Sequence, residues 1–165
     1  MAASEKRRPG TPVRRSATRT EALIATATDA RLHAVAPFSG FKVGAALETE
    51  DGTIITGCNI ENASYGLTMC AERVAVFKAV SEGHRRFRRI AVVADTHAPT
   101  PPCGACRQIL WEHTGDIQVV LANLERQTGQ FRLKRLLPLP FDAAVLSSSG
   151  RVGRKRKVGQ RFSRA

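Results

Sequence analysis

No run of about 18 apolar residues occurs anywhere in the 165-residue chain, which excludes a membrane-spanning helix. The charged N-terminus is not followed by the apolar segment that a secretory signal needs. Its Arg-rich, Ser/Thr-containing, acid-poor composition loosely resembles a mitochondrial transit peptide, but Pro9 and Pro12 interrupt any amphipathic helix there. Four cysteines (Cys58, Cys70, Cys103 and Cys106) are too few and too widely spaced for a disulfide scaffold, and 42% hydrophobic residues suffice for a core without one. Such cysteine usage fits a cytoplasmic chain with metal-binding or catalytic thiols. Aromatic residues are scarce at 5%, which leaves few rings on which nucleobases could stack. The four histidines show no metal-ligand spacing.

Acidic residues are nearly missing from both ends. Residues 1–20 hold six basic residues and one acid, residues 147–165 hold seven and none, and the stretch between holds 13 of each. The net charge of +12 therefore belongs to the tails, and the middle is neutral. This argues against a nucleic-acid-binding domain with a cationic folded surface. The division predicts a disordered basic tail over 1–19, one catalytic domain over 20–146 and a second disordered basic tail over 147–165. The tails leave open a different class of function, a nucleic-acid-binding or editing protein recruited by their cationic side chains with steep salt dependence. Within the middle, only Arg85, Arg86, Arg88 and Arg89 cluster, and they read as a solvated loop.

Along the middle, Thr20 precedes an Ala/Leu/Ile-rich run in which Leu23, Ala27, Ala30 and Ala34 repeat at helical spacing, a first helix closed before Pro37. Val43–Leu47 and Thr53–Gly57 flank an Asp51-Gly52 turn signal and predict a hairpin. Cys70–Glu82 reads as a second helix, with Ala71, Val74, Ala75, Ala79 and Val80 on one face. Ile90–Ala94 is a short continuous apolar run, the pattern of a strand buried on both faces, and Ile117–Ala122 reads as another buried strand. Between them a third helix follows the proline-rich loop, from about Gly104 to His113. Gln130–Leu133 reads as a short edge strand, and Leu136-Leu137 as the end of a short helix. The order predicts a three-layer α/β/α fold with a mixed, roughly five-stranded sheet, antiparallel in the hairpin and parallel afterwards.

The chemistry-bearing residues are Cys70-Ala71-Glu72 and Pro102-Cys103-Gly104-Ala105-Cys106. A lone Cys-x-x-Cys serves redox dithiols and half zinc sites alike. Here each cysteine group opens a helix, where the partial positive charge favours thiolates, and Cys103 and Cys106 share a face at i, i+3. Three thiolates with no fourth cysteine at matching spacing leave one tetrahedral zinc position open, the mark of a catalytic site. Beside such a position the Glu72 carboxylate can take a proton from water and return it to a substrate nitrogen. The plainer alternative is that Glu72 complements the helix dipole and the cysteine pair is a dithiol.

These motifs, with Phe41–Leu47, Gly57–Ala63, Cys70–Arg73 and Pro102–Gln108 in that order, resemble the small, homotetrameric class of cytidine deaminase over about residues 21–142. The resemblance implies one zinc ion per subunit on Cys70, Cys103 and Cys106, with Glu72 as proton shuttle. It implies a nucleoside substrate, cytidine or 2′-deoxycytidine, in pyrimidine salvage. Asn59, Ile60 and Glu61 are expected at the sugar, where Asn59 and Glu61 together receive the 3′-hydroxyl. Phe41 is expected on the pyrimidine, and Ala71 offers it a backbone group. Three thiolates overcompensate Zn²⁺, so a cation should offset them. The resemblance assigns that task to Arg73, held by Gln108. Tyr65 and Phe141 are expected to approach the site of a neighbouring subunit. Cys58, in turn, reads as a small buried hydrophobe.

Two departures stand out: Pro37-Phe38-Ser39 replaces the usual Pro-Tyr-Ser, and compact members lack the basic tails. An enzyme alternative is deamination of blasticidin S, whose deaminases share the zinc motifs. Asn59 with Glu61 argues for a nucleoside, because that antibiotic has no ordinary ribose.

Overall fold

The computed structural model describes residues 12–125 and 128–148; the expectations for 1–11 and 149–165 lie outside the described residues. Helix α1 spans Pro12–Arg31, so it starts eight residues before Thr20, inside the segment expected to be a disordered tail. Proline fits the first helical position, where its missing N–H would have no partner, and the Arg and Ala residues that follow propagate a helix well.

After α1 come β1 (Val43–Thr49), β2 (Ile54–Cys58), a single 3₁₀ turn (Tyr65–Leu67), α2 (Ala71–Ser81) and β3 (Phe87–Ala94). Then follow α3 (Gly104–Thr114), β4 (Gln118–Asn123), β5 (Thr128–Arg132), α4 (Leu133–Leu136) and α5 (Ala143–Ser148). The five strands form one sheet in the order β2-β1-β3-β4-β5. Only β3 and β4 run parallel; β5 returns antiparallel to β4, which corrects the expectation of a parallel half. Only four residues, 124–127, separate β4 from β5, too few for the crossover that parallel pairing requires.

The central strands bury both faces by strict alternation. Ala46, Ala91, Val93, Val120 and Ala122 meet Leu23 and Ala27 of α1. On the other face Val43, Ala45, Leu47, Ile90, Val92, Val119 and Leu121 pack with Ala71, Ala75, Val76 and Ala79 of α2 and Leu110 of α3. The result is three layers, α1, sheet, and α2 with α3. Two glycines set how closely the helices approach. A Cβ on Gly44 would lie 2.0 Å from the Ala27 carbonyl oxygen, and one on Gly57 would lie 2.4 Å from the Ala71 carbonyl oxygen. Helices α1 and α2 therefore rest directly on strand backbone.

Of the arginines expected to be a solvated loop, Arg85 and Arg86 are exposed in the loop before β3, whereas Arg88 and Arg89 belong to the start of the strand. Arg89 is only 6% exposed and Glu48 5%; they pair in register across β3 and β1 as an ion pair, with Arg89 also donating to the Thr20 hydroxyl at 2.7 Å. Arg88 donates to the Glu50 carbonyl at 2.9 Å, and Arg86 pairs with the Glu50 carboxylate at 3.4 Å. Strand alternation turns Arg89 inward, and burial of its charge is tolerated because a carboxylate faces it.

Candidate active site

Helices α2 and α3 both leave the carboxyl-terminal edge of the sheet, from β2 and β3, and begin side by side. In open α/β sheets this edge is where ligands bind. Cys70 is the N-cap of α2 and Cys103 the N-cap of α3, both in extended backbone conformation, and neither sulfur caps its own helix. Both sulfurs are thus directed to the space between the helices. Cys106, in the first turn of α3, is fully buried. The three Sγ atoms lie within 4.8 Å of one another, and Cys70 and Cys103 are 3.9 Å apart.

These are soft donors at helix N-termini, on three corners of a tetrahedron-sized cluster, which fits zinc. The thiol titrations point the same way. A hydrogen bond from Cys106, together with the Arg73 guanidinium, pulls the Cys70 thiol down to about 5, despite burial. The Cys106 thiol is pushed up, first because its hydrogen serves Cys70 and then by burial. A divalent cation is what would hold all three sulfurs as thiolates.

Glu72, 4% exposed, follows Cys70 in the first turn of α2. Burial pushes its carboxyl up to about 7, and the Cys70 negative charge adds to the rise. A group poised there both accepts and releases protons at neutral pH. Arg73 donates to the Thr68 carbonyl at 2.7 Å and reaches the Cys70 sulfur at 3.7 Å. Its Nε is buried and has no partner among the described residues.

Among the described residues Gln108 makes no hydrogen bond to Arg73. On α3 it lies two residues from Cys106, about 200° round the helix, so the two side chains leave on opposite sides. Its amide instead brackets the Phe141 backbone, donating to the carbonyl and accepting from the N–H at 3.3 Å. Where a bond to Arg73 was expected, the Gln108 amide is thus engaged with Phe141.

Asn59 and Glu61 both brace the loop before β1. Buried Asn59 accepts from the Val43 N–H at 2.8 Å and donates to the Phe41 carbonyl at 2.8 Å. Glu61 accepts from the Phe38 and Ser39 N–H groups at 2.9 and 3.2 Å and from the Ser39 hydroxyl, and these bonds hold its carboxyl below the ordinary range. An amide nitrogen offers two hydrogens and a carboxylate about four lone pairs. One N–H of Asn59 and one lone pair of Glu61 thus remain among the described partners, the donor and acceptor that a single hydroxyl takes.

Ile60, between them, is half exposed and ties this segment to Met69, the residue before Cys70, by paired backbone bonds of 2.9 Å. Ala71 is buried at the start of α2, and Phe41 is 40% exposed. Tyr65 is exposed and meets Phe38 edge-to-face with ring centroids 5.9 Å apart. Phe38, at the departure from Pro-Tyr-Ser, makes this aromatic contact and has no hydroxyl. Cys58 is half buried rather than a plain core residue: its thiol donates to the His33 carbonyl at 3.3 Å, and burial pushes its pKa up. The roles of Gln108 and Arg89 could not be found from local pattern, because each depends on a partner more than 30 residues away.

Residues 17–122 match the model of the cytidine and deoxycytidylate deaminase zinc-binding region. A cytidine deaminase of Sporosarcina psychrophila is 52% identical over 128 residues, covering 77% of this chain and 94% of the relative. The crystal structure of a cytidine deaminase from Burkholderia pseudomallei is 51% identical and superposes with a TM-score of 0.72, covering 73% of this chain and 98% of that one. A blasticidin-S deaminase of Bacillus cereus is 31% identical over 107 residues, covering 60% of this chain.

Proposed function

The chain belongs to the cytidine and deoxycytidylate deaminase family, and from that premise we propose how its residues carry out zinc-dependent hydrolytic deamination of cytidine. Cys70, Cys103 and Cys106 hold the ion. When bound there, zinc supplies Lewis-acid activation of the water that attacks C4 of the pyrimidine.

Glu72 moves the protons. Its carboxylate takes one from the attacking water and delivers it to N3 of the base. It then takes the remaining proton of the hydroxyl added at C4 and gives it to the exocyclic amino nitrogen, so that the C4–N bond breaks, ammonia leaves and the C4 carbonyl forms. Desolvation of the carboxyl lets one group serve both directions. Arg73 offsets the surplus negative charge of three thiolates against one Zn²⁺ and fixes the Cys70 sulfur by hydrogen bonding.

Asn59 and Glu61 receive the 3′-hydroxyl with their remaining donor and acceptor, so cytidine and 2′-deoxycytidine are both substrates and free cytosine is a poor one. Phe41 packs on the pyrimidine, Ile60 flanks the sugar, and the Ala71 backbone meets the base. The enzyme works in the cytoplasm in pyrimidine salvage as a homotetramer, with Tyr65 and Phe141 of one subunit reaching the site of another. Its catalytic unit is residues 20–146, and the basic tails lie outside it.

The observation that carries this reading is the buried Glu72 carboxyl adjoining three sulfurs within 4.8 Å of one another. The test is ammonia release by the full chain with cytidine, 2′-deoxycytidine, blasticidin S and a cytosine-containing single-stranded oligonucleotide, alongside metal analysis. Turnover of both nucleosides with one zinc per chain is expected. Turnover of blasticidin S or the oligonucleotide alone would overturn it.

A further inference from the structure

Helix α3 carries zinc ligands on its inner side and a row of polar side chains on its outer side, and that row holds the segment that follows α4. Arg107 donates to the carbonyl of Pro102, the residue before Cys103, at 2.7 Å, and to the carbonyl of Leu136 at 2.9 Å. Gln108 brackets Phe141 through both of its amide atoms. Trp111 donates from its ring nitrogen to the Asp142 carboxylate at 3.4 Å, and Asp142 in turn accepts from the Ala144 N–H at the start of α5. Leu137–Asp142, which contains Pro138 and Pro140, is thereby strung along α3.

The ends of this segment are held while its apolar side chains face outward: Leu139 is 92% exposed and Phe141 60%. A hold on both the N–H and the C=O of one residue fixes the two peptide units that flank its Cα, and so the direction in which its Cα–Cβ bond points. Among the described residues Gln108 makes no bond to Arg73 or to a cysteine, so nothing in the geometry couples it to the metal ligands other than the helix itself.

We propose that Gln108 is a positioning residue for substrate binding: its amide aims Phe141 at the nucleoside bound by an adjoining copy of the chain, and it does not act through Arg73 or zinc. This rests on the reading that Phe141 reaches a neighbouring site. It predicts a separation of KM from kcat that a structural or metal-linked role would not produce.

The experiment compares Gln108→Leu, Gln108→Glu, Phe141→Ala and the double variant Gln108→Leu/Phe141→Ala, each as the full-length zinc-loaded protein. KM and kcat for cytidine, zinc content and solution mass are measured. Losing a paired amide hold should raise KM roughly tenfold in Gln108→Leu, with kcat and zinc within about twofold of the parent. Gln108→Glu sets a carboxylate oxygen against the Phe141 carbonyl, so its KM should rise at least as far; this variant carries the test if Gln108→Leu fails to fold. The double variant should match Phe141→Ala alone.

A fall in zinc content or kcat at unchanged KM would overturn the proposal and return Gln108 to the metal site. So would additive effects in the double variant. An elevated KM in Phe141→Ala with parental KM in both Gln108 variants would refute the proposal while leaving the neighbouring-site reading intact. A parental KM in Phe141→Ala would refute that reading itself, and the proposal with it.

Discussion

Gly57→Ala should damage the enzyme through a single methyl group, and the size of the effect can be worked from the packing. Gly57 lies under α2, where an added Cβ would sit 2.4 Å from the Ala71 carbonyl oxygen, 2.6 Å from the Ala75 nitrogen and 3.1 Å from the Val74 Cβ. Ordinary contact begins near 3.4 Å, so α2 must retreat by about 1 Å. The first two obstacles are helix backbone, which cannot rotate aside as a flexible side chain would. Overpacking of this kind costs about 2 kcal/mol, or roughly 4–8 °C in Tm for a chain of this size. Because Ala71 lies between Cys70 and Glu72, the same displacement moves a zinc ligand and the proton shuttle together. A misplacement near 1 Å costs on the order of 100-fold in rate. Thermal unfolding followed by circular dichroism, with kcat and zinc content on the same sample, measures both. A Gly57→Ala protein with parental Tm and kcat would refute the claim that α2 rests on strand backbone at this point.

Other consequences follow from the same geometry. Arg89→Ala leaves the buried Glu48 carboxylate with only the half-exposed Arg88, 3.9 Å away, and should destabilise the fold by about 3 kcal/mol in urea denaturation, whereas replacing Glu48 and Arg89 together by apolar residues of similar volume should recover most of that loss. An equal loss in both variants would show that the pair has no special role. Arg73→Ala removes the cation beside the thiolates and should weaken zinc retention about 10–100-fold in a chelator competition, with KM for cytidine little changed. Unchanged zinc retention and kcat would refute that role.

Much of the fold is legible in the residues because burial on both faces leaves so few choices. Ile90–Ala94 and Val119–Ala122 are continuous apolar runs, and no amphipathic element accommodates them. The metal cluster is legible for a different reason: Cys-Ala-Glu and Pro-Cys-x-x-Cys mark its residues by type and spacing, although Cys70 and Cys103 meet across 33 residues of chain. What local pattern misses is decided by distant partners. Arg89 reads as solvated beside Arg85, Arg86 and Arg88 until β1 supplies Glu48 across the sheet. Gln108 reads as a neighbour of the zinc ligands until its helical phase is set against Cys106, and Phe141 lies 33 residues away along the chain. The start of α1 is missed because Arg14, Arg15 and Arg19 carry no apolar periodicity, although their helix propensity is good. Asn59 and Glu61 have a further task that their spacing does not reveal: they brace Phe38–Val43 before any ligand arrives.

The central claim is that one buried carboxyl, Glu72, moves the protons beside a three-cysteine zinc site. The most direct measurement is kcat for cytidine in Glu72→Gln together with its zinc content, since the amide keeps the shape and removes the proton transfer. The account predicts a loss of at least 100- to 10,000-fold, about the range of general acid–base catalysis, with one zinc retained per chain. A fully loaded Glu72→Gln protein with kcat within a few-fold of the parent would contradict it.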